Sequence, residues 1–333
     1  MNADDFDSLF GTVLGTRPRK NNTPGASKAR RTGSQRRASL QKAIRVAKRT
    51  PEVLVRISGG ARGGAHVREH LSYITRNGKL VAENQDGELV DGRGAVRELA
   101  SVWRHSDSGA WQKNSKDTVN LVLSMPPGTD RDRLKDAVRD FAARTFAADR
   151  EYVFVRHDDT KHPHCHLTLK AVGYEGRRLN PRKADLQAWR EGFAQALREH
   201  GVAAEASPRR ARGVTRKAKR QPVLHAERRK SSTVARKFAD EAARCVAGKD
   251  NRPRPWEAVI KNTQTAVRGA WVKAAEAMEV ANIEGGKELA ADMRRFVKGM
   301  PPVQTRQQAL EARMREHLAW QRERAQTKPD QER

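Results

Sequence analysis

Alternating apolar and polar side chains mark the strands of this chain, and apolar residues three to four apart mark its helices. Glu52-Val53-Leu54-Val55-Arg56-Ile57 alternates as a strand, and Ser58-Gly59-Gly60-Ala61-Arg62-Gly63-Gly64 follows as a flexible loop. From Ala65 onward, Val67, Leu71 and Ile74 line one face of a predicted helix that Asn77-Gly78 closes. Residues 83–94 are polar and glycine-rich and read as a loop. A helix over Ala95–His105 buries Val96, Leu99 and Trp103, and a loop rich in Ser and Lys leads to a strand over Thr118–Ser124. Thr129 or Asp130 then caps a helix with Leu134, Val138 and Phe141 on one side. Two strands follow, Tyr152–Val155 and His164–Leu169. After them come a turn, a short strand near Arg177–Leu179 and a helix from Ala184 to His200 burying Leu186, Trp189, Phe193 and Leu197. This order predicts an α+β fold, an antiparallel sheet with helices packed on one face, over residues 51–206.

The flanks read differently. In residues 1–50, Asp4–Leu14 is acidic and apolar, consistent with a short docking helix or a frayed tail. Arg17–Arg49 is dense in Arg, Lys, Ser and Gly and predicts a disordered basic segment. Residues 207–230 read as a basic linker. Residues 231–333 read as helical over Thr233–Ala247, over Trp256–Lys298 with a break at Gly285-Gly286, and over Arg306–Ala325. Their weakly apolar faces predict a thin helical appendage rather than a second large core.

Charge narrows the function classes. The 333 residues hold 67 Lys and Arg against 40 Asp and Glu, a net charge of +27 that calls for a polyanionic partner such as nucleic acid. The two cysteines, Cys165 and Cys245, imply no disulfide framework and suit a reducing cytoplasm. No apolar run approaches the roughly 18 residues of a membrane span, so no membrane insertion is expected. The start Met1–Phe6 lacks the basic and apolar stretches of a secretory signal.

The candidate chemistry sits in Arg156-His157-Asp158-Asp159-Thr160-Lys161-His162-Pro163-His164-Cys165-His166-Leu167, which holds four of the ten histidines. A side-chain period of two puts His164 and His166 on one strand face and Cys165, Leu167 and Leu169 on the other, toward a core. His157, at the end of the neighbouring strand, can complete a three-imidazole site with an open coordination position, suited to zinc, manganese, nickel or iron. Upstream, His66, His70 and Tyr73 stand at i, i+4 and i+7 of one predicted helix. The other two tyrosines, Tyr152 in a strand and Tyr174 in a turn, suit packing roles. A basic chain, a metal triad and a helix-borne tyrosine point together to phosphodiester chemistry, with Tyr73 as nucleophile. An ordinary tyrosine pKa of about 10 means that it needs a neighbouring cation or base at neutral pH. A metal-dependent nuclease that uses water is the alternative if Tyr73 is dispensable.

His157-Asp158-Asp159 with His162-Pro163-His164-Cys165-His166-Leu167 resembles the third motif of conjugative relaxases, the mobilisation nucleases of the HUH endonuclease superfamily. The similarity is closest to the MOBP-type, T-DNA border endonuclease-like branch. His70-Leu71-Ser72-Tyr73-Ile74-Thr75-Arg76-Asn77-Gly78-Lys79-Leu80 resembles the first motif, and Leu121–Asp130 a family strand ending in serine, proline and glycine. The similarity spans about residues 53–213, through the helix of Trp189 to the run Arg209–Gly213. It implies Tyr73 as nucleophile, His157, His164 and His166 as metal ligands, and Asp159 as the acidic residue that orients or activates the site. An acidic Asp158 departs from the pattern. His70, Asp158, His162, Ser124 and Arg62 are supporting or DNA-contact candidates. The resemblance further implies a five-stranded antiparallel sheet and Mg²⁺ or Mn²⁺. Its substrate is single-stranded or extruded origin-of-transfer DNA, nicked site- and strand-specifically to leave a 5′-phosphotyrosine adduct. The implied partners are accessory relaxosome proteins and a type IV coupling protein and secretion system. These would carry the adduct from the bacterial cytoplasm into a recipient. A rolling-circle replication initiator, a single-tyrosine transposase, or a non-catalytic DNA-binding or secreted protein on the same fold are the alternatives.

Overall fold

Six strands hydrogen-bond into one antiparallel sheet: β1 (Leu54–Gly59), β2 (Ala82–Asn84), β3 (Leu89–Val90), β4 (Thr118–Ser124), β5 (Tyr152–His157) and β6 (His164–Lys170). Their order is β1-β4-β6-β5-β2-β3. This computed structural model describes Leu14 and residues 33–105, 115–216, 219, 221–250, 252, 254–280 and 284–327. The chain divides into two units, Arg49–Ala206 and Met1–Lys48 with Ser207–Arg333.

The sheet has six strands where five were expected, because residues 83–94 are not all loop. Ala82–Asn84 and Leu89–Val90 form a short hairpin whose first strand pairs with the edge of β5. The Asn84 side chain accepts from the backbone N–H groups of Asp86 and Glu88, and Gly87 supplies the positive φ of 79° that closes the turn. Strands of three and two residues are too short to show an alternation. The expected strand near Arg177–Leu179 is a single bridge between Val172 and Arg178.

Helices cover both faces of the sheet rather than one. On one side lie α1 (Gly63–Ile74) and α2 (Gly92–His105), and on the other α3 (Arg131–Ala142) and α4 (Lys183–Glu199). Leu71, Ile74, Val96 and Trp103 pack with Val153 and Val155. Leu134, Phe141, Phe193 and Leu197 pack with Phe154, Leu167 and Leu169. The unbroken apolar run Tyr152–Val155 is what a strand buried on both faces requires. Asp130 caps α3 by accepting from the N–H groups of Asp132 and Arg133, as its position predicts.

The turn after α1 is built from three residues in the left-handed region, Arg76, Asn77 and Gly78, with φ of 52°, 59° and 79°. At Gly78 a Cβ would lie 2.5 Å from the Arg93 nitrogen, so the glycine is required by contact as well as by φ.

The second unit has a core of its own. Trp271, Phe296, Met293 and Ala274 are buried together, and the Trp271 indole donates to the Ala211 carbonyl at 2.9 Å. This is more than the thin appendage expected. Disorder was expected over Arg17–Arg49, but Gly33–Ala47 is a helix that buries Ala43 and Val46 in that core, and residues 17–32 lie outside the described residues. Its composition is basic, but Leu40, Ala43 and Ala47 form a small apolar stripe at helical spacing that the arginines obscure. Within the expected linker, Arg209–Arg212 forms a 3₁₀ turn whose Ala211 is buried, and Gln221–Arg228 is helical. The helices Thr233–Val246, Pro255–Val280, Gly286–Lys298 and Arg306–Thr327 follow. The expected docking segment Asp4–Leu14 lies outside the described residues apart from Leu14, which is buried in this core. No helix among the described residues is long and apolar enough to cross a membrane.

Candidate metal centre and tyrosine

The register of β5 against β6 assembles the three histidines. His157 stands opposite His164, and His166 is two residues further along β6, on the same face. Their ring centroids are 4.4 to 5.4 Å apart, and one nitrogen from each ring lies within 4.8 Å of the others. Cys165, Leu167 and Leu169 point the other way into the core, as the period of two predicts. Burial pushes the Cys165 thiol up to about 12.

Two backbone carbonyls fix the ring orientations. His157, 1% exposed, donates from Nε2 to the Ile74 carbonyl at 2.6 Å, which leaves the Nδ1 lone pair as acceptor, with the Arg76 guanidinium 3.4 Å from it. His164 donates from Nδ1 to the His162 carbonyl at 3.0 Å, which leaves Nε2. Burial lowers the His157 pKa against the opposing pull of the Ile74 carbonyl. Burial, then the charges of His157 and His164, push His166 down to about 3. Neutral imidazoles with aimed lone pairs are what a metal needs. The cluster therefore fits a divalent cation.

The last turn of α1 brings Tyr73 to this face. Its ring is 60% exposed and stands edge-on to His166 at 6.3 Å between centroids. One turn earlier, His70 sits against Thr168, Nε2 to Oγ1 2.9 Å, and burial lowers its pKa. His70 thus braces the helix on the sheet and is not part of the triad. Arg62 occupies the opposite end of α1, about 16 Å from Tyr73 by helical rise. Its carbonyl accepts from His66 Nδ1 at 2.7 Å, and its side chain is exposed.

Arg76 is a site residue that motif reasoning named only as part of a string. Its guanidinium lies 5.2 Å from the centre of the Tyr73 ring and 3.4 Å from His157 Nδ1, and it ion-pairs with Asp159. Burial works to raise the Asp159 pKa, but the hydrogen bond and charge of Arg76, with His157 and His164, outweigh it and hold the carboxyl below its usual range. The spacing Tyr73-x-x-Arg76, one helical turn, was the available signal. The left-handed turn that bends Arg76 back over the ring is not visible in it.

The two adjacent aspartates separate. Asp159 faces Arg76, whereas Asp158 is bound by Arg131 at 2.9 Å and Arg156 at 3.1 Å. His162 has an exposed side chain and contributes its carbonyl. Ser124, opposite His164 in the register, is buried and donates to the Pro163 carbonyl at 3.1 Å, so it holds the loop before β6.

Residues 73–202 match the family described as relaxase, MobA/VirD2-like, nuclease domain. The chain is 26% identical over 200 residues to the T-DNA border endonuclease VirD2 of Rhizobium radiobacter, covering 54% of this chain and 46% of that one. It is 27% identical over 202 residues to the T-DNA border endonuclease VirD2 of Agrobacterium fabrum (strain C58), covering 54% and 44%. The chain thus spans a little under half the length of these curated relatives. A solved chain from work described as "Molecular Basis of Vancomycin Resistance Transfer in Staphylococcus aureus" aligns with a TM-score of 0.33 at 12% identity, over 48% of this chain and 99% of its own. The resemblance carried by the motifs is borne out: residues 73–202 match a relaxase nuclease domain of the MobA/VirD2-like kind, and the chain is similar to T-DNA border endonucleases over about half its length.

Proposed function

We propose that the unit of residues 49–206 nicks one DNA strand at an origin of transfer by covalent attack of Tyr73. The observation that carries this reading is the exposed Tyr73 ring standing beside His166 and under Arg76, on the face where the three histidines converge. In the step, the Tyr73 oxygen bonds to phosphorus and the bond to the 3′ oxygen breaks, leaving the 5′ phosphate on the tyrosine. Asp159, held ionised by Arg76, is the acceptor for the phenol proton, which then goes to the departing 3′ oxygen. Arg76 stabilises the charge on the phenolate and on the phosphoryl group. His157, His164 and His166 would hold a divalent cation, which when bound would supply Lewis-acid polarisation of a phosphate oxygen. A set of three imidazoles favours Mn²⁺ over Mg²⁺, which prefers oxygen ligands.

The relatives are named as T-DNA border endonucleases, which supports a DNA substrate, and the net charge of +27 suits one. The larger setting belongs to the same proposal: accessory relaxosome proteins, a type IV coupling protein and secretion system, and passage of the adduct from a bacterial cytoplasm to a recipient. The test is to incubate the protein with labelled single-stranded origin DNA and Mn²⁺ or Mg²⁺, then look for an adduct that survives denaturation. An adduct mapping to Tyr73 and lost in Tyr73→Phe is the expected result. Cleavage without an adduct, unaffected by Tyr73→Phe, would mean a water-using nuclease instead.

A further inference from the structure

The loop of residues 158–163 between β5 and β6 carries Asp159 and delivers His164, so its path sets the aim of both. Two side chains tie it to the sheet face opposite Tyr73. Arg131, in the first turn of α3, donates from Nη1 to Asp158 Oδ1 at 2.9 Å and from Nη2 to the Thr160 carbonyl at 3.0 Å. Arg156 reaches Asp158 Oδ2 at 3.1 Å and also ion-pairs with Asp132, the neighbour of Arg131. Both oxygens of Asp158 are therefore committed to arginines.

From Thr160 the contacts continue to a candidate metal ligand. The Thr160 hydroxyl donates to the His162 carbonyl at 2.7 Å, and that carbonyl also accepts the Nδ1–H of His164 at 3.0 Å. On the β4 side, Ser124 Oγ and the Met125 N–H both donate to the Pro163 carbonyl at 3.1 Å. The helix that supplies Arg131 is anchored by buried Leu134, Val138 and Phe141 and capped by Asp130. A rigid post thus connects through Thr160 and His162 to the ring orientation of His164.

We propose that Arg131 and Asp158 are positioning residues that hold this loop so that His164 keeps Nε2 aimed at the cation and Asp159 faces Arg76. The proposal rests on reading the three histidines as metal ligands and Tyr73 as the nucleophile. It gives the unusual acidic residue at 158 a task outside the ligand set. The physical basis is that a carbonyl accepting from one imidazole nitrogen fixes the direction of the other, and small misplacements of a reacting group are costly.

The test compares full-length wild type with Arg131→Met, Arg131→Lys and Asp158→Asn. Four quantities are read: Mn²⁺ affinity by calorimetry, amide hydrogen exchange over residues 158–164, kcat and KM for nicking, and Tm. Arg131→Met and Asp158→Asn should weaken Mn²⁺ binding about tenfold, the low end of what loss of a group bracing a ligand costs. They should also speed exchange in the loop and lower kcat at unchanged KM. Arg131→Lys, able to make one of the two bonds, should fall between. Unchanged Mn²⁺ affinity and exchange in Arg131→Met would overturn the proposal, and so would a lower Tm with Mn²⁺ affinity intact. A wild type that makes no Tyr73 adduct would sink the nicking reading, while Mn²⁺ affinity and exchange would still decide the role of Arg131.

Discussion

Replacing Arg76 with Gln separates what this residue does for the fold from what it does for the reaction. Its ion pair with Asp159 joins side chains that are 37% and 49% exposed, so solvent screens it and the pair is worth no more than about 1 kcal/mol of stability. The cation–π contact with the exposed Tyr73 ring adds a similar amount, about 0.5–1 kcal/mol. Urea titration of Arg76→Gln should therefore show a loss below about 2 kcal/mol, a sum of those two upper values. Transition-state charge is another matter. A preorganised donor beside a developing anion contributes about 3–4 kcal/mol, or a 10²–10³-fold drop in rate when removed. Single-turnover formation of the phosphotyrosine adduct, at saturating DNA and Mn²⁺, should slow by that factor while Tm and circular dichroism stay near wild type. Adduct formation at the wild-type rate would refute a role for Arg76 at Tyr73. A defect seen only in KM would reduce Arg76 to one more phosphate contact.

Other predictions follow from the same geometry. His166→Ala should weaken Mn²⁺ binding by more than the roughly 100-fold that loss of a group behind a ligand can reach. Calorimetry on the full chain measures this, and EDTA should stop wild-type cleavage while DNA binding in a gel shift persists. Gly78→Ala places a Cβ 2.5 Å from the Arg93 nitrogen at a φ of 79°, and should lower stability by more than about 1 kcal/mol in urea unfolding. Ala43→Lys puts a charge at a fully buried position of the helix Gly33–Ala47 and should expose the helical unit to limited proteolysis while residues 49–206 stay resistant. Equal digestion of wild type and variant would show that this helix does not belong to that core. Thiol titration of the native protein should give at most one reactive group, because Cys165 is fully buried, and two after guanidinium unfolding.

Much of the site was legible along the chain because its logic is local. Alternation over His164–Leu169 put His164 and His166 on one face and Cys165, Leu167 and Leu169 on the other, and that division holds. The position of His157 at the end of the preceding strand was enough to add a third imidazole, since a tight connection between two strands forces antiparallel pairing. Tyr73 could be placed on a helix, with Val67, Leu71 and Ile74 on its buried side, from apolar spacing alone. The charge of +27 pointed toward a polyanionic partner without any structure.

Tertiary structure decided the rest, for reasons of range and length. Strands β2 and β3 are too short to carry a period, so only pairing with β5 reveals them. The second helical layer could not be read from an alternating pattern, since the run Tyr152–Val155 is apolar at every position and is silent about what lies on each side. The helix Gly33–Ala47 looks solvated because Arg, Lys, Ser and Gln are interspersed among its small apolar residues, and it folds against a core more than two hundred residues away in sequence. The roles of Asp158 and Asp159 turn on partners, Arg131 and Arg76, that come from α3 and from the turn after α1. A period is a property of neighbouring residues, whereas a charge pair is a property of where two distant segments meet in space.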